Sequence, residues 1–99
     1  MPQRVFVETR DLLFRAKLRS AAESAGAEVV RDAAGCDVAV LDAQSAAVTD
    51  RIRNLAATGV RVLAYGSHVD AETLRAAREA GAVAVPNSQV ETRLREMLA

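Results

Sequence analysis

Three times along this chain an amphipathic stretch closes on a glycine and gives way to a short apolar run. Ala25-Gly26 precedes Ala27-Glu28-Val29-Val30, Thr58-Gly59 precedes Val60-Arg61-Val62-Leu63-Ala64-Tyr65, and Ala80-Gly81 precedes Ala82-Val83-Ala84-Val85. A glycine just past a helical stretch supplies the left-handed backbone that ends a helix at little steric cost. The repeated unit is therefore helix, turn, strand. Strands separated by helices run parallel, because a helical crossover returns the chain to the same end of the sheet.

Two further apolar runs, Val5-Phe6-Val7 and Asp37-Val38-Ala39-Val40-Leu41, bring the strands to five. They are continuous rather than alternating, as a sheet buried on both faces requires. The fold class is α/β, a doubly wound five-stranded parallel sheet, and right-handed crossovers order it 2-1-3-4-5. The first helix is placed at about Asp11 to Ala25, with Leu13, Phe14, Leu18, Ala21, Ala22 and Ala25 on its apolar side. The second spans about Ala46 to Thr58 and buries Val48, Ile52, Leu55 and Ala56. The third starts at the N-cap Asp70 and buries Leu74 and Ala77. The last opens on the capping box Ser88-Gln89-Val90-Glu91 and buries Val90, Leu94 and Met97 or Leu98. One domain, residues 1–99, accounts for all of this.

One crossover is too short for a helix. Between Val30 and Asp37 stand only Arg31-Asp32-Ala33-Ala34-Gly35-Cys36, and a helical crossover needs at least ~10–12 residues. The helix between strands two and three is expected to be missing or reduced. The link is either stretched, with one sheet face thinly covered, or the second strand has moved. A bare face of this kind favours a partner.

Composition narrows the function classes. Thirteen basic and thirteen acidic residues cancel, so no overall field attracts nucleic acid or a membrane surface. Phe6, Phe14 and Tyr65 are the only aromatics, too few for base-stacking platforms. The lone Cys36 has no second thiol for a disulfide or a zinc site and reads as a small core residue. No apolar run is long enough to span a bilayer and no leader is recognisable, which makes the cytoplasm the expected address. No cofactor and no metal is expected.

In open α/β sheets, ligands sit at the carboxyl ends of the strands. Those ends read Glu8-Thr9-Arg10-Asp11, Asp42, Gly66-Ser67-His68 and Pro86-Asn87-Ser88. With Val5–Val7 leading into a polar turn, the run Cys36–Asp42, and the passage Leu74-Arg75-Ala76-Ala77-Arg78-Glu79-Ala80-Gly81-Ala82, the chain resembles the CheY-like receiver domains of bacterial response regulators over essentially its whole length. The resemblance implies the flavodoxin-like fold and a signalling role. It places Asp42 at the phosphoacceptor position. It also implies helpers that this sequence lacks in place. Thr9 and Arg10 stand where two carboxylates should hold Mg²⁺, with Glu8 and Asp11 displaced to either side. Gly66 stands for the hydroxyl residue, with Ser67 one position late, and Asn87 or Ser88 for the lysine, the chain's one lysine being Lys17. Phosphoryl transfer rests on placed cations, so the resemblance is to a degenerate pseudo-receiver that is not an enzyme.

The remaining features carry alternatives. Asp42 reads as a loop-capping residue or a vestigial phosphoacceptor. Glu8, Thr9, Arg10, Asp11, Ser67, His68 and Ser88 form a candidate strand-end pocket for a small ligand or anion. A divergent phosphoacceptor at Asp42, with Glu8 and Asp11 on the metal, is the third reading. Ser67-His68 lacks a nucleophile elbow and oxyanion glycines, which argues against a hydrolase. Glu72, Arg75, Arg78, Glu79, Glu91 and Arg95 alternate in sign on the last two helices. Such a face is easily self-complementary about a two-fold axis. Receivers commonly use this face for homodimers or output contacts, so the resemblance implies a homodimer or another signalling protein as partner.

Overall fold

In a computed structural model, which describes residues 2–99, strand β1 (Arg4–Glu8) leads into helix α1 (Leu12–Ser24) and strand β2 (Glu28–Val30). Strand β3 (Val38–Asp42), helix α2 (Val48–Ala57), strand β4 (Arg61–Gly66) and helix α3 (Ala71–Ala80) follow. Strand β5 (Val83–Pro86), a 3-10 turn (Asn87–Gln89) and helix α4 (Val90–Leu98) complete the chain. All strands pair in parallel in the order β2-β1-β3-β4-β5. This is the expected doubly wound sheet.

The sheet divides the core into two apolar layers. On one face Val5, Val7, Val38, Val40, Leu63 and Tyr65 meet Leu18 and Ala22 of α1 and Val90, Leu94 and Leu98 of α4. On the other, Leu41, Val62, Ala64 and Ala84 meet Val48 and Ile52 of α2 and Leu74, Ala77 and Ala80 of α3. Each central strand contributes to both layers, which is why its sequence is continuously apolar. The glycine signal holds at α3: Gly81 adopts φ +116°, and the Ala82 N–H returns to the Ala77 carbonyl at 3.1 Å.

The short link proves sufficient because β2 is short. Val30, its last residue, lies opposite Phe6, and Val38, the first of β3, lies opposite Val5. The chain must therefore retreat by one residue along the strand and cross two inter-strand spacings, about 10 Å. Six extended residues reach about 20 Å, leaving slack for a turn. In that turn Asp32 Oδ1 accepts from the Ala34 N–H at 2.9 Å, Gly35 takes φ +75°, and the Cys36 N–H donates to the Ala33 carbonyl at 3.2 Å. Asp37 then ties to β1, its Oδ2 accepting from the Arg4 N–H at 2.8 Å. No helix forms here. The link borders a cleft beside Asn54 and Leu55 of α2 and Thr58 just past its end, and Phe6 of β1 is only partly buried.

Two local expectations are corrected. Leu13 and Ala25 are exposed and do not belong to the apolar stripe of α1. Leu13 lies about 100° around the helix from Phe14, and the buried line runs through Leu18, Ala21 and Ala22. The capping box at Ser88 does not form. The chain enters α4 through the 3-10 turn, whose Gln89 precedes the helix without a side-chain cap. Of the two alternatives at the end of α4, Leu98 is buried and Met97 partly so.

Candidate functional site

The carboxyl ends of β1, β3, β4 and β5 open onto one side of the sheet, where a cleft of about 710 Å³ is bounded by Glu8, Thr9, Arg10, Asp42, Gln44 and Arg51, among others. A smaller adjoining cleft extends it past Asp11, Tyr65, Gly66, Ser67 and Asn87. The topology assembles most of the expected set. His68 and Ser88 are not brought in. His68 is exposed on the β4–α3 loop, and Ser88 lines a separate crevice between α1 and the start of α4 with Lys17 and Glu91. Asn87 takes the place at the β5 end.

Each carboxylate already has an occupation. Asp42, the last residue of β3, turns Oδ1 onto the Gln44 N–H at 2.9 Å, and its own carbonyl accepts from Ser45 Oγ at 2.7 Å. This Asx-type turn is the loop-capping role. Asp11 caps α1, its Oδ1 accepting from the Phe14 N–H at 3.0 Å. Thr9 Oγ1 accepts from the Asp11 N–H at 3.2 Å. Glu8 is held by both arms of Arg51, with Nη1 on Oε1 and Nη2 on Oε2, the latter at 2.8 Å. The hydrogen bond to Glu8 is the main cause that raises the already high pKa of Arg51, against a smaller opposing effect of burial. Bidentate geometry adds orientation to charge.

Arg51 was not legible as a site residue, since its partner lies 43 positions away. It sits on the first turns of α2. The loop from Asp42 to that helix forces Ala47 into the left-handed region at φ 56°, a conformation uncommon for a residue with a Cβ.

At the end of β4, the Tyr65 ring stacks on Phe14 with centroids 4.8 Å apart. The residue is 5% exposed, and among the described residues its hydroxyl meets no partner of hydrogen-bonding geometry. Burial pushes the phenol above its ordinary value, partly offset by the Thr9 hydroxyl and reinforced by the carboxylates of Asp42, Asp11 and Glu8. Gly66 is packed against α3: a Cβ placed there would meet Leu74 Cδ2 at 3.3 Å and Ala43 Cβ at 3.6 Å. A side chain at the hydroxyl position of the resemblance would therefore have to displace the Leu74 methyl by a few tenths of an ångström.

The charged residues of α3 and α4 are exposed but mostly paired within their own helices. Arg75 binds Glu72, and Arg95 lies 3.5 Å from Glu91. Arg78 instead reaches inward, donating to the Ala84 carbonyl of β5 at 2.8 Å. Exposed intrahelical pairs of this kind contribute roughly 0–1 kcal/mol and can exchange partners.

No protein-family model matches the chain, and no curated protein does. Solved structures do. A response regulator from Thermotoga maritima superposes with a TM-score of 0.76 at 16% identity, covering 99% of this chain and 98% of that one. This chain has the CheY-like, flavodoxin-like fold. The response regulator ChrA of a heme-sensing two-component system matches at 29% identity with a TM-score of 0.69 over 96% of this chain. This chain spans 54% of ChrA's length. A CheY-like protein (tadZ) from Pseudomonas aeruginosa matches at 19% identity, TM-score 0.72, over 99% of this chain and 94% of that one. No helix among the described residues is long and apolar enough to cross a membrane.

Proposed function

We propose that this chain is a phosphorylation-independent receiver, a single domain over residues 1–99 that acts by binding other signalling proteins or a second copy of itself. The observation that carries this reading is the engagement of the strand-end carboxylates. Glu8 is clasped by Arg51, Asp11 caps a helix and Asp42 closes a turn. A Cβ at position 66 would press on the Leu74 methyl at 3.3 Å, and the sole lysine lies on α1. Phosphoryl transfer depends on cations placed around the phosphate, and this arrangement supplies none in the receiver pattern. Incubation with Mg²⁺ and acetyl phosphate should leave the intact mass unchanged. An adduct lost in Asp42→Asn would reverse the proposal and favour a divergent phosphoacceptor.

The contact surface of this proposal is α3, β5 and α4, carrying Glu72, Arg75, Arg78, Glu79, Glu91 and Arg95. Val83 is 38% exposed on the edge strand between these helices, giving the charged face an apolar centre. Multi-angle light scattering should report a concentration-dependent dimer that Arg75→Glu weakens. A monomer at high micromolar concentration removes self-association and leaves a partner of another kind.

One observation favours a second reading, a small-ligand sensor at the same strand ends: the buried Tyr65 hydroxyl without a partner beside Thr9, Arg10, Asp11, Asp42 and Ser67. A saturable thermal shift with a small polar ligand, abolished by Arg10→Ala, would select it.

A further inference from the structure

The receiver fold implies a divalent cation at the strand ends, and with Glu8 held by Arg51 the donors here do not fit one. A hard cation such as Mg²⁺ demands several oxygen ligands in near-octahedral array. Among the described residues no three His, Cys, Asp or Glu side chains gather to hold a metal. The two positions after Glu8 offer a hydroxyl and a cation, Thr9 and Arg10. Asp11 is turned onto the Phe14 N–H.

What stands at the strand ends instead is Arg51. Its guanidinium takes both oxygens of Glu8 and spans from the end of β1 to α2. The span brackets the Ala43–Ala47 loop, which leaves Asp42 and passes through the left-handed Ala47. Arg51 also lines the same cleft as Asp42. A bridging metal would neutralise these carboxylates and tie β1 to the loop after β3. The guanidinium pairs with Glu8 and ties the end of β1 to the first turns of α2, just past that loop, from within the chain.

We infer that Arg51 is a built-in cation, replacing the divalent metal of the strand-end site and holding the Asp42 loop in one state. The inference rests on the phosphorylation-independent reading for its biological sense, but its test does not. A planar guanidinium with five donors matches a carboxylate in two-point contact and stays charged at every accessible pH. The site is consequently indifferent to metal concentration.

The experiment uses Tb³⁺, an oxygen-seeking ion whose luminescence a nearby tyrosine sensitises, and Tyr65 is the chain's one tyrosine. The wild-type chain should give no saturable emission and no thermal shift with Mg²⁺. Arg51→Lys, which keeps the charge, should behave likewise. Arg51→Gln should bind Tb³⁺ at least about tenfold more tightly than wild type, equivalent to ~1.4 kcal/mol, and the double variant with Glu8→Gln should lose that gain. If Arg51→Gln is unfolded alone, Mg²⁺ or Tb³⁺ should restore its circular dichroism. Saturable wild-type binding lost in Glu8→Gln would overturn the inference. So would Arg51→Gln binding no better than wild type, or an unfolded Arg51→Gln that metal does not rescue. An acetyl-phosphate adduct at Asp42 would sink the proposed function while leaving these metal readouts to judge Arg51 separately.

Discussion

Replacing Gly66 by threonine would return a hydroxyl to the place where the receiver pattern has one, and the core should resist it. The side chain would enter the space between Leu74 Cδ2, 3.3 Å from the new Cβ, and Ala43 Cβ, 3.6 Å away. Leu74 is 4% exposed, so its terminal methyl has little room to retreat. The Cβ alone is absorbed by a shift of a few tenths of an ångström. Removing glycine's freedom in the unfolded chain returns roughly 0.4–1 kcal/mol. Gly66→Ala should therefore be close to neutral. Threonine adds two more heavy atoms, and overpacking of that size costs about 1–3 kcal/mol. In a domain this small, that loss lowers Tm by roughly 5–15 °C. Urea titrations followed by circular dichroism would measure it in Gly66→Thr, in Leu74→Ala and in the double variant. Leu74→Ala alone should cost about 2–5 kcal/mol, and it should relieve most of the threonine penalty. Penalties that add within about 0.5 kcal/mol would refute the steric argument. So would a Gly66→Thr chain as stable as the wild type.

Three further outcomes follow from single residues. Gly35→Ala should destabilise by about 1–2 kcal/mol, because φ is +75° there and the new Cβ would meet Arg4 Nη1 at 3.3 Å; urea midpoints would show it. Burial raises both Tyr65 and Cys36 above their ordinary values of 10.0 and 9.0. The folded chain therefore binds these protons more tightly than the unfolded one, and stability present below pH 9.0 is lost as pH rises through the raised values. Phenolate absorbance should appear together with unfolding, and a smooth titration of the folded chain at pH 10.0 would contradict this. For Asp70, hydrogen bonds from Gln44 first and then Thr73 hold the carboxyl below its ordinary 3.8. Its contribution is present above pH 3.8 and fades as pH falls through the lowered value. Asp70→Asn should thus be less stable than wild type at neutral pH, with the gap narrowing in acid; a gap independent of pH would rule the carboxylate out.

The sheet was readable because its signals are local. Glycines ending helices, N-caps such as Asp70, and continuous apolar runs each report on neighbours within a few positions, and together they specify order and direction. The strand ends were readable as a set, since the parallel topology brings Glu8, Asp42 and Ser67 to one side. What escaped was long-range or competitive. Glu8 and Arg51 meet across the sheet with no pattern linking them in sequence. Tyr65 stacks on Phe14 across the sheet–helix boundary, a contact that no spacing encodes. At Ser88 the capping-box letters are present, but the 3-10 turn at Asn87–Gln89 gives α4 a different entry. Leu13 looked apolar enough for the core, yet its angle around α1 points it to solvent.

The early stop of β2 has a practical reading. Because Val30 and Val38 end and begin their strands only one residue apart in register, the crossover between them is a slot that accepts a turn or a whole helix without moving any strand. Shortening it spares about 1–2 kcal/mol of backbone ordering for every residue omitted, while giving up only the cover over one edge of the sheet. A segment grafted between Asp32 and Gly35 would therefore fold as an appendage on an unchanged sheet. The fold is, in effect, shortest at a joint where shortness leaves the geometry of the strand ends untouched.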